Sequence, residues 1–271
     1  VLPRKSPGSV RTQGSQLAWW QAELGPIRLA DVTPARLVAC RDRLAEDHAP
    51  ATVNGYLAAF SHAFTVAVTE WQWLEGSPLE RVRRLREPQG RGRVLTEDER
   101  PRLLQACDVS PNRFLAPVVV LALSTGARKQ EILGLTWADV DLRRATVTLQ
   151  HTKNRTRRTL PLTRRALTEV QQLAKVRRLD TPLLFARADG RAPIDLRAAW
   201  ARVLQEAGIT DFRFHDLRHS AASYLAMSGA SLVEIAAILG HRTLQMVQRY
   251  AHLAEGHTAS VVARMNATLF P

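Results

Sequence analysis

The chain has 271 residues, 45% of them hydrophobic, which is enough to bury cores in two domains and excludes wholesale disorder. Its formal net charge of +13 rests on 34 arginines and only four lysines, and this excess of guanidinium groups indicates a polyanionic partner. Two cysteines are too few for a disulfide framework or a cysteine zinc site, and no apolar run approaches the length of a membrane span. We therefore expect a cytoplasmic nucleic-acid-binding protein with no membrane partner.

The first part of the chain is predicted to be helical. Apolar residues recur at helical spacing over 16–24, 34–45 and 52–73. One apolar stripe of the third helix comprises Leu57, Phe60, Phe64 and Val68. We expect this stripe, together with Trp71 and Trp73, to form the core of a small four-helix module that ends near Arg86.

The segment 87–94 is rich in proline, glycine and arginine and is predicted to be an extended basic linker. Thr96 and Glu99 have the spacing of a capping box, so a helix is expected to begin there. Most of the positive charge lies beyond this boundary, since residues 1–90 carry a net charge of +2 and residues 91–271 carry +11. The polyanion is therefore expected to lie mostly against the second part.

The second part is predicted to be mainly α-helical with a small β-sheet, which makes the fold class α+β. Strands are expected at 146–150, where polar and apolar residues alternate, and at 157–162 as the hairpin partner. Helices are expected at 96–107, 112–123, 128–135, 164–178, 194–207, 215–227, 231–239 and 243–250, and the tail from 257 is compatible with another.

Arg128 follows a glycine turn at Gly126 and opens a predicted helix that includes Glu131. The free N–H groups and the positive dipole end of such a turn form a natural seat for a phosphate. Many helices begin with glycine and a basic residue, so an ordinary helix start is the alternative for this segment taken alone.

Lys153 lies at the tip of the predicted hairpin, within the segment 151–155. A lysine there is ordinarily a solvated surface residue. In a chain that otherwise uses arginine, however, lysine is the cation that can release a proton, so Lys153 is a candidate general acid.

His215, Asp216, Arg218 and His219 stand together in one predicted helix, where His215 and Arg218 share a face. The spacing of the two histidines is also that of zinc proteases with an H-E-x-x-H motif. Asp216 is shorter than the glutamate of that motif, and Arg218 would place a fixed cation beside the metal. We therefore expect no metal ion and no cofactor.

Tyr250 lies nine residues after His241 in the basic segment 249–252. The other two tyrosines, Tyr56 and Tyr224, fall on apolar helix stripes. A tyrosine on an amphipathic helix usually packs in a core or an interface, which remains the alternative. Tyr250, in contrast, falls in a polar and basic context.

Five motifs, in this order, resemble the tyrosine recombinase (phage integrase) family. They are T-G-x-R-x-x-E at 125–131, T-K-N at 152–154, H-D-L-R-H at 215–219, L-G-H at 239–241 and R-Y-A-H at 249–252. The resemblance covers residues 95–255 strongly and residues 12–86 more weakly.

The resemblance implies four parts of the chain. These are a helical core-type DNA-binding domain over 1–86, a basic linker over 87–94, a mixed catalytic domain with an α/β-hairpin over 95–256, and a C-terminal tail over 257–271. The tail would dock on a neighbouring protomer or, alternatively, pack on its own domain or fray.

The resemblance also implies a site-specific recombinase that cuts and rejoins double-stranded DNA through a 3′-phosphotyrosyl intermediate, without metal or ATP. Tyr250 would attack the phosphorus. Arg128 and Arg218 would bind the non-bridging oxygens, and Lys153 would protonate the leaving 5′-oxygen. Residues expected to bind DNA elsewhere are Arg91, Arg93, Lys129, Arg155, Arg157, Arg213 and Arg242.

The resemblance implies supporting roles for the remaining site residues. His241 would donate a further hydrogen bond to the phosphate. His215 would position the phosphate and assist the removal of the Tyr250 proton. Glu131 and Asp216 would orient the groups that touch the DNA.

The resemblance further implies a homotetramer on DNA that acts through a Holliday junction. Each protomer would close its two domains around the duplex as a C-shaped clamp, with accessory DNA-bending factors as further partners. Two alternatives are a type IB topoisomerase, which uses nearly the same chemistry without ordered strand exchange, and a non-catalytic DNA-binding relative. The second is disfavoured because every catalytic position is filled.

Overall fold

The structure is a computed structural model that describes residues 7–88, 92–150 and 157–270. Three residues of the predicted site, Arg91, Lys153 and Arg155, lie outside the described residues. The chain forms two compact units, residues 1–90 and 91–271. The division into a DNA-binding and a catalytic domain stays a prediction.

The first unit is built from α1 (Pro7–Leu24), α2 (Pro34–Asp47) and α3 (Pro50–Thr69), with 3-10 helices at Leu29–Asp31 and Pro78–Arg81. The described residues thus contain three α-helices there, not four. The predicted stripe is confirmed, because Leu57 and Phe64 are buried and Phe60 stacks on the buried indole of Trp20 with ring centroids 4.5 Å apart.

The expectation that Trp71 and Trp73 belong to this core is wrong. Helix α3 ends at Thr69, and the chain turns away through Gln72, which has a φ of +53°. The two indoles contact each other with ring centroids 4.3 Å apart and are 53% and 64% exposed. The helical spacing of the sequence does not predict burial once the helix has ended.

The second unit has a buried helix at its centre. Its helices are α4 (Glu99–Asp108), α5 (Leu115–Thr125), α6 (Lys129–Leu133), α7 (Arg164–Lys175), α8 (Arg197–Glu206), α9 (Asp216–Met227), α10 (Leu232–Leu239) and α11 (Glu255–Leu269). Helices α4, α7 and α9 pack around α5, most of whose residues are buried. The predicted capping box is confirmed, since Thr96 Oγ1 accepts the Glu99 N–H at 3.1 Å and the Glu99 carboxylate accepts the Thr96 N–H at 3.0 Å.

A three-stranded antiparallel sheet consists of β1 (Val140–Asp141), β2 (Thr146–Leu149) and β3 (Arg158–Pro161), in that order. The predicted hairpin of β2 and β3 is confirmed, with Val147 opposite Leu160. Strand β1 was not predicted because two residues are too few to show an alternation.

The prediction of an α-helix over 243–250 is wrong. The chain forms 3-10 helices at Leu244–Met246 and Gln248–Ala254, and the Tyr250 N–H bonds the Val247 carbonyl oxygen at 2.9 Å. Residues three apart lie on one side of such a helix, and both Val247 and Tyr250 are buried there. The tighter winding therefore turns Tyr250 inward.

The chain enters the second unit along α9. The Leu95 N–H donates to Ser220 Oγ at 3.0 Å, and the Leu95 carbonyl oxygen accepts from the Tyr224 hydroxyl at 3.1 Å. Ser220 and Tyr224 are one turn apart on α9, and Leu95 is buried. Both backbone polar groups of Leu95, just after the predicted linker, are thus hydrogen-bonded to side chains of one helix.

Candidate active site

Helix α9 begins in a turn that Asp216 holds. The buried carboxylate of Asp216 accepts the backbone N–H of Arg213 at 2.7 Å and lies at the positive end of the helix dipole. This fixes the turn from which His215, Arg218 and His219 project.

Arg218 is buried and bound by the ends of two helices. Its guanidinium donates to the carbonyl oxygens of Gly126 and Leu239, both at 2.7 Å. Gly126 and Gly240 end α5 and α10 in the left-handed conformation, so the last carbonyl groups of these helices need other donors. The negative ends of two helix dipoles therefore hold one buried cation.

Arg218 keeps its charge. Burial lowers the pKa of its guanidinium to about 10, and the positive charges of Arg128 and Arg158 act in the same direction. That value is still far above neutral pH. In the described part of the chain, no ion pair joins Arg218 to a carboxylate.

Glu131 holds two further arginines. Its carboxylate accepts the Arg128 backbone N–H at 2.9 Å, Arg128 Nη1 at 2.8 Å and Arg158 Nη2 at 2.7 Å. Burial raises the pKa of the Glu131 carboxyl, but its bonds to Arg158 and Arg128 outweigh burial and hold the pKa below its usual value. One ionised carboxylate thus joins α6 to β3.

Arg158 is a site residue that the sequence analysis missed. Its side chain is 8% exposed, and its Nε and Nη1 have no hydrogen-bond partner among the described residues. A signal was present, because the two-residue period of a strand places Arg158 on the same face as Leu160, which is buried. An arginine on an inward face is expected to pair with a carboxylate.

Tyr250 is hydrogen-bonded to His219, another residue to which the sequence analysis gave no catalytic role. Tyr250 Oη lies 2.6 Å from His219 Nδ1, and Tyr250 is 6% exposed. Burial raises the pKa of the Tyr250 hydroxyl, whereas burial and the neighbouring His215 lower the pKa of His219. Both groups are therefore neutral at pH 7, and when the ring proton of His219 is on Nε2 the hydroxyl donates to Nδ1.

His241 also meets Arg218. His241 Nε2 lies 2.6 Å from Arg218 Nη2, and burial together with the Arg218 charge lowers the pKa of His241 to about 4. The ring is therefore neutral at pH 7, and its Nε2 accepts from the guanidinium. Donation from His241 to a phosphate stays a prediction.

The structure gathers five of the six predicted catalytic residues around α9, and the sixth, Lys153, lies outside the described residues. His215 is exposed and packs against the His219 ring with centroids 5.2 Å apart. The five are Arg128, His215, Arg218, His241 and Tyr250.

The predicted DNA contacts differ in their surroundings. Arg157, Arg213 and Arg242 are exposed, and Lys129 lies over the Phe214 ring at 5.5 Å. Arg93 instead pairs with Glu99 through two N–H groups, and this bond lowers the pKa of Glu99 to about 2. DNA binding by each of these residues stays a prediction.

The described residues offer neither a metal cluster nor a membrane span. No three histidine, cysteine, aspartate or glutamate side chains in these ranges gather as metal ligands. Of the two histidines with zinc-like spacing, His219 is bonded to Tyr250. Within the same ranges, no helix combines the length and apolar character needed to cross a membrane.

Comparison with known proteins identifies the family to which this chain is similar. Residues 93–257 match the phage integrase family. The shufflon-specific DNA recombinase of Escherichia coli is 35% identical over 232 residues, which cover 85% of this chain and 58% of the relative. The chain spans less than two thirds of this and other curated relatives.

Solved structures share the fold and confirm the predicted fold class. The Tn1549 transposon integrase in complex with transposon right end DNA has a TM-score of 0.82 at 16% identity, over 96% of this chain and 95% of that one. A lambda integrase tetramer bound to a Holliday junction has a TM-score of 0.74 at 19% identity, over 93% and 73%. At these identities the likeness shows the fold alone.

Proposed function

The chain belongs to the phage integrase family, and from this premise we propose that it is a site-specific tyrosine recombinase. It cuts and rejoins double-stranded DNA through a 3′-phosphotyrosyl intermediate, without metal or ATP. The charge of the site carries this proposal: in the described ion pairs, Arg128 and Arg158 share the carboxylate of Glu131, and Arg218 has only neutral partners. A phosphodiester beside Tyr250 supplies the missing negative charge.

The reaction starts from the neutral hydroxyl of Tyr250. Its oxygen attacks the phosphorus and its proton passes to a histidine of the 215–219 motif, while the bond from phosphorus to the 5′-oxygen breaks and that oxygen takes a proton from Lys153. Arg128 and Arg218 bind the non-bridging oxygens, where charge develops in the transition state. Because the phosphotyrosyl ester keeps the energy of the cleaved bond, a 5′-hydroxyl can attack it and rejoin the strand.

The proposal includes assembly of four protomers on a Holliday junction. The lambda integrase tetramer, which has the same fold, supports it. Helix α11 and the residue that follows it also bear exposed apolar side chains, and these favour a tail that docks on a neighbouring protomer over one that packs on its own domain. They are Val262, Met265, Leu269 and Phe270, at 45%, 51%, 60% and 76% exposure.

The partner is duplex DNA of a specific site, and DNA-bending proteins are candidate accessory partners. An enzyme of this kind works on the nucleoid, in the bacterial cytoplasm. The exposed side chains of Arg157 and Arg213 are available to the phosphate backbone, and Arg242 is exposed as well.

The test is covalent capture of DNA. Short overlapping duplexes that tile the DNA flanking the gene, each nicked to trap the cleaved product, are incubated with the protein in EDTA and analysed for SDS-resistant adducts. We expect an adduct with one duplex, none with Tyr250→Phe, and retained gel-shift binding by that variant. Tyr224→Phe is the matched control and should keep the adduct, since the Tyr224 hydroxyl donates to the Leu95 carbonyl oxygen.

The other outcomes separate the alternatives. An adduct with Tyr250→Phe would move the nucleophile to another residue. Binding without any adduct would indicate a non-catalytic relative, and cleavage without exchange between two sites would indicate a topoisomerase-like enzyme. Loss of the adduct in EDTA and its return with zinc would restore the metal hypothesis.

A further inference from the structure

We propose that His219, and not His215, takes the proton of Tyr250 during cleavage and returns it during rejoining. The inference rests on the proposed function and assigns one of its steps to a residue outside the predicted catalytic set. His219 Nδ1, 2.6 Å from Tyr250 Oη, carries it.

Hydrogen-bond reach is the first requirement of a general base. His219 Nδ1 meets it for the Tyr250 hydroxyl. His215 contacts the His219 ring edge to face, is exposed, and among the described residues has no hydrogen bond to Tyr250. Of the two histidines of this motif, His219 is the one that faces the nucleophile.

The contact is built by packing on both sides. Tyr250 belongs to a buried cluster with Ala222, Leu239 and Val247, and Val247 is fully buried. The 3-10 helix Gln248–Ala254 packs directly on α9. The tyrosine ring is therefore fixed against the helix that carries His219, as a nucleophile and its base must be.

The charges around His219 make it responsive to a bound phosphate. His215, Asp216 and Arg218 face it from α9, and Arg249 faces it from the 3-10 helix. Burial first, and then His215, Arg249 and Arg218, lower the pKa of His219, whereas Asp216 raises it, so the free protein holds the ring neutral. The tautomer with its proton on Nε2 has the lone pair on Nδ1 that the base needs. A phosphate bound at Arg218 adds negative charge and favours the imidazolium, so the base becomes effective when DNA is in place.

Each proton that moves in this step has a donor and an acceptor. As Tyr250 Oη bonds to phosphorus, its O–H bond breaks and an N–H bond forms at His219 Nδ1. The 5′-oxygen leaves with a proton from a separate donor, the role proposed for Lys153. In rejoining, the 5′-hydroxyl attacks the phosphorus and the proton on Nδ1 returns to Oη as the tyrosine leaves.

The experiment isolates this proton from that of the leaving group. The probe is the duplex captured by the unaltered protein, made with a sulfur atom in place of the scissile 5′-oxygen, because the departing thiolate needs no proton. Single-turnover adduct formation is measured with saturating protein for the unaltered chain, His219→Asn, His219→Ala, His215→Asn and Lys153→Ala. Gel shift and the urea unfolding transition show that each variant folds and binds.

We expect both His219 variants to lose about 10²–10⁴-fold on the sulfur and the oxygen substrate, whereas Lys153→Ala recovers on sulfur. The asparagine amide oxygen can accept the tyrosine hydroxyl but cannot take its proton at neutral pH. The rate of His219→Asn should therefore rise about tenfold per pH unit above pH 7, as phenolate forms, while the rate of the unaltered protein is flat there and declines at lower pH, as His219 takes up a proton. His215→Asn should keep this flat profile.

Four results would overturn the assignment. A near-normal rate for His219→Asn would mean that the contact only positions the ring, and a near-normal or faster rate for His219→Ala would mean that Tyr250 leaves His219 on DNA. Transfer of the altered pH profile to His215→Asn would make His215 the base. No adduct from the unaltered protein would overturn the proposed function and this assignment together.

Discussion

The two sides of the candidate active site hold their arginines through different groups: a charged carboxylate on one side, and neutral carbonyl and imidazole groups on the other. The carboxylate side consists of Arg128, Glu131 and Arg158, and the carbonyl side consists of Gly126, Arg218, Leu239, Gly240 and His241. On the first side one negative charge fixes and partly neutralises two guanidinium groups. On the second, carbonyl dipoles and a neutral imidazole fix Arg218 and leave its full charge for a ligand. All three guanidinium groups are thus held in place, but only those on the carboxylate side are partly neutralised by the group that holds them.

Glu131→Gln breaks the carboxylate side and should have the largest effect. It leaves Arg158, which is 8% exposed, without a counter-charge, and the expected loss is about 3–5 kcal/mol in the free energy of unfolding at pH 7. Urea unfolding of the second unit measures it. Glu169→Gln, on the partly exposed pair with Arg165, is the matched control and should cost about 0.5 kcal/mol or less.

The same variant has a pH signature. Because the pKa of Glu131 lies below its usual 4.5, its contribution is complete above about pH 4.5 and is lost as the pH falls through the lowered pKa. The gap between the unaltered protein and Glu131→Gln should be constant above about pH 5 and shrink below about pH 4.5. A gap that widens on acidification would show that Glu131 is protonated in the fold.

Arg218→Met tests the carbonyl side and should have the next largest effect. It leaves the Gly126 and Leu239 carbonyl groups without their charged donor, which should cost about 3 kcal/mol of unfolding free energy. Arg128→Met should cost only about 1 kcal/mol, since Arg128 is 22% exposed and Glu131 keeps Arg158. Equal losses in urea unfolding would mean that the two sides do not differ.

Gly240→Ala sharpens the comparison, because Gly240 lies where the two sides meet. Its φ is +68°, and a Cβ there would stand 2.6 Å from Arg158 Nη1. Gly208→Ala is the matched control, with a φ of +62° and a Cβ 3.2 Å from Arg102 Nη1. Both should lose about 1–2 kcal/mol of unfolding free energy, but only Gly240→Ala should slow adduct formation. Equal adduct rates would show that Arg158 tolerates displacement.

His241→Gln should give the smallest effect. The folded pKa of His241, about 4, lies below its usual 6.5, so the neutral ring contributes stability at pH 7 that is lost as the pH falls below 6.5. The unaltered protein should lose about 1 kcal/mol more than His241→Gln between about pH 6.5 and 5.5. Identical losses in urea unfolding would show that His241 titrates as in the unfolded chain.

Much of the fold could be predicted because local patterns determine it. The capping box at Thr96, the hairpin of alternating residues at 146–149 and the stripe around Phe64 are short-range signals. The exposure of Trp71 and the 3-10 winding at Tyr250 depend on how segments meet in space, and the sequence carries no local signal for them.

The candidate site divides in the same way. Arg128, Arg218 and Tyr250 could be predicted because their motifs have characteristic spacing. The histidine that faces Tyr250 could not, since His215 and His219 are four residues apart on one helix and only the packing of the following segment selects between them. Arg158 could have been found from the period of β3.

The two hydrogen bonds of Leu95 to α9 have a kinetic consequence. Its amide proton, bonded to the hydroxyl of Ser220 in a buried setting, can exchange with solvent only when this contact opens. Ser220 follows Arg218 and His219 directly on α9. The rate of deuterium uptake at the Leu95 amide therefore measures how often the contact between this segment and α9, the helix that bears Arg218 and His219, opens.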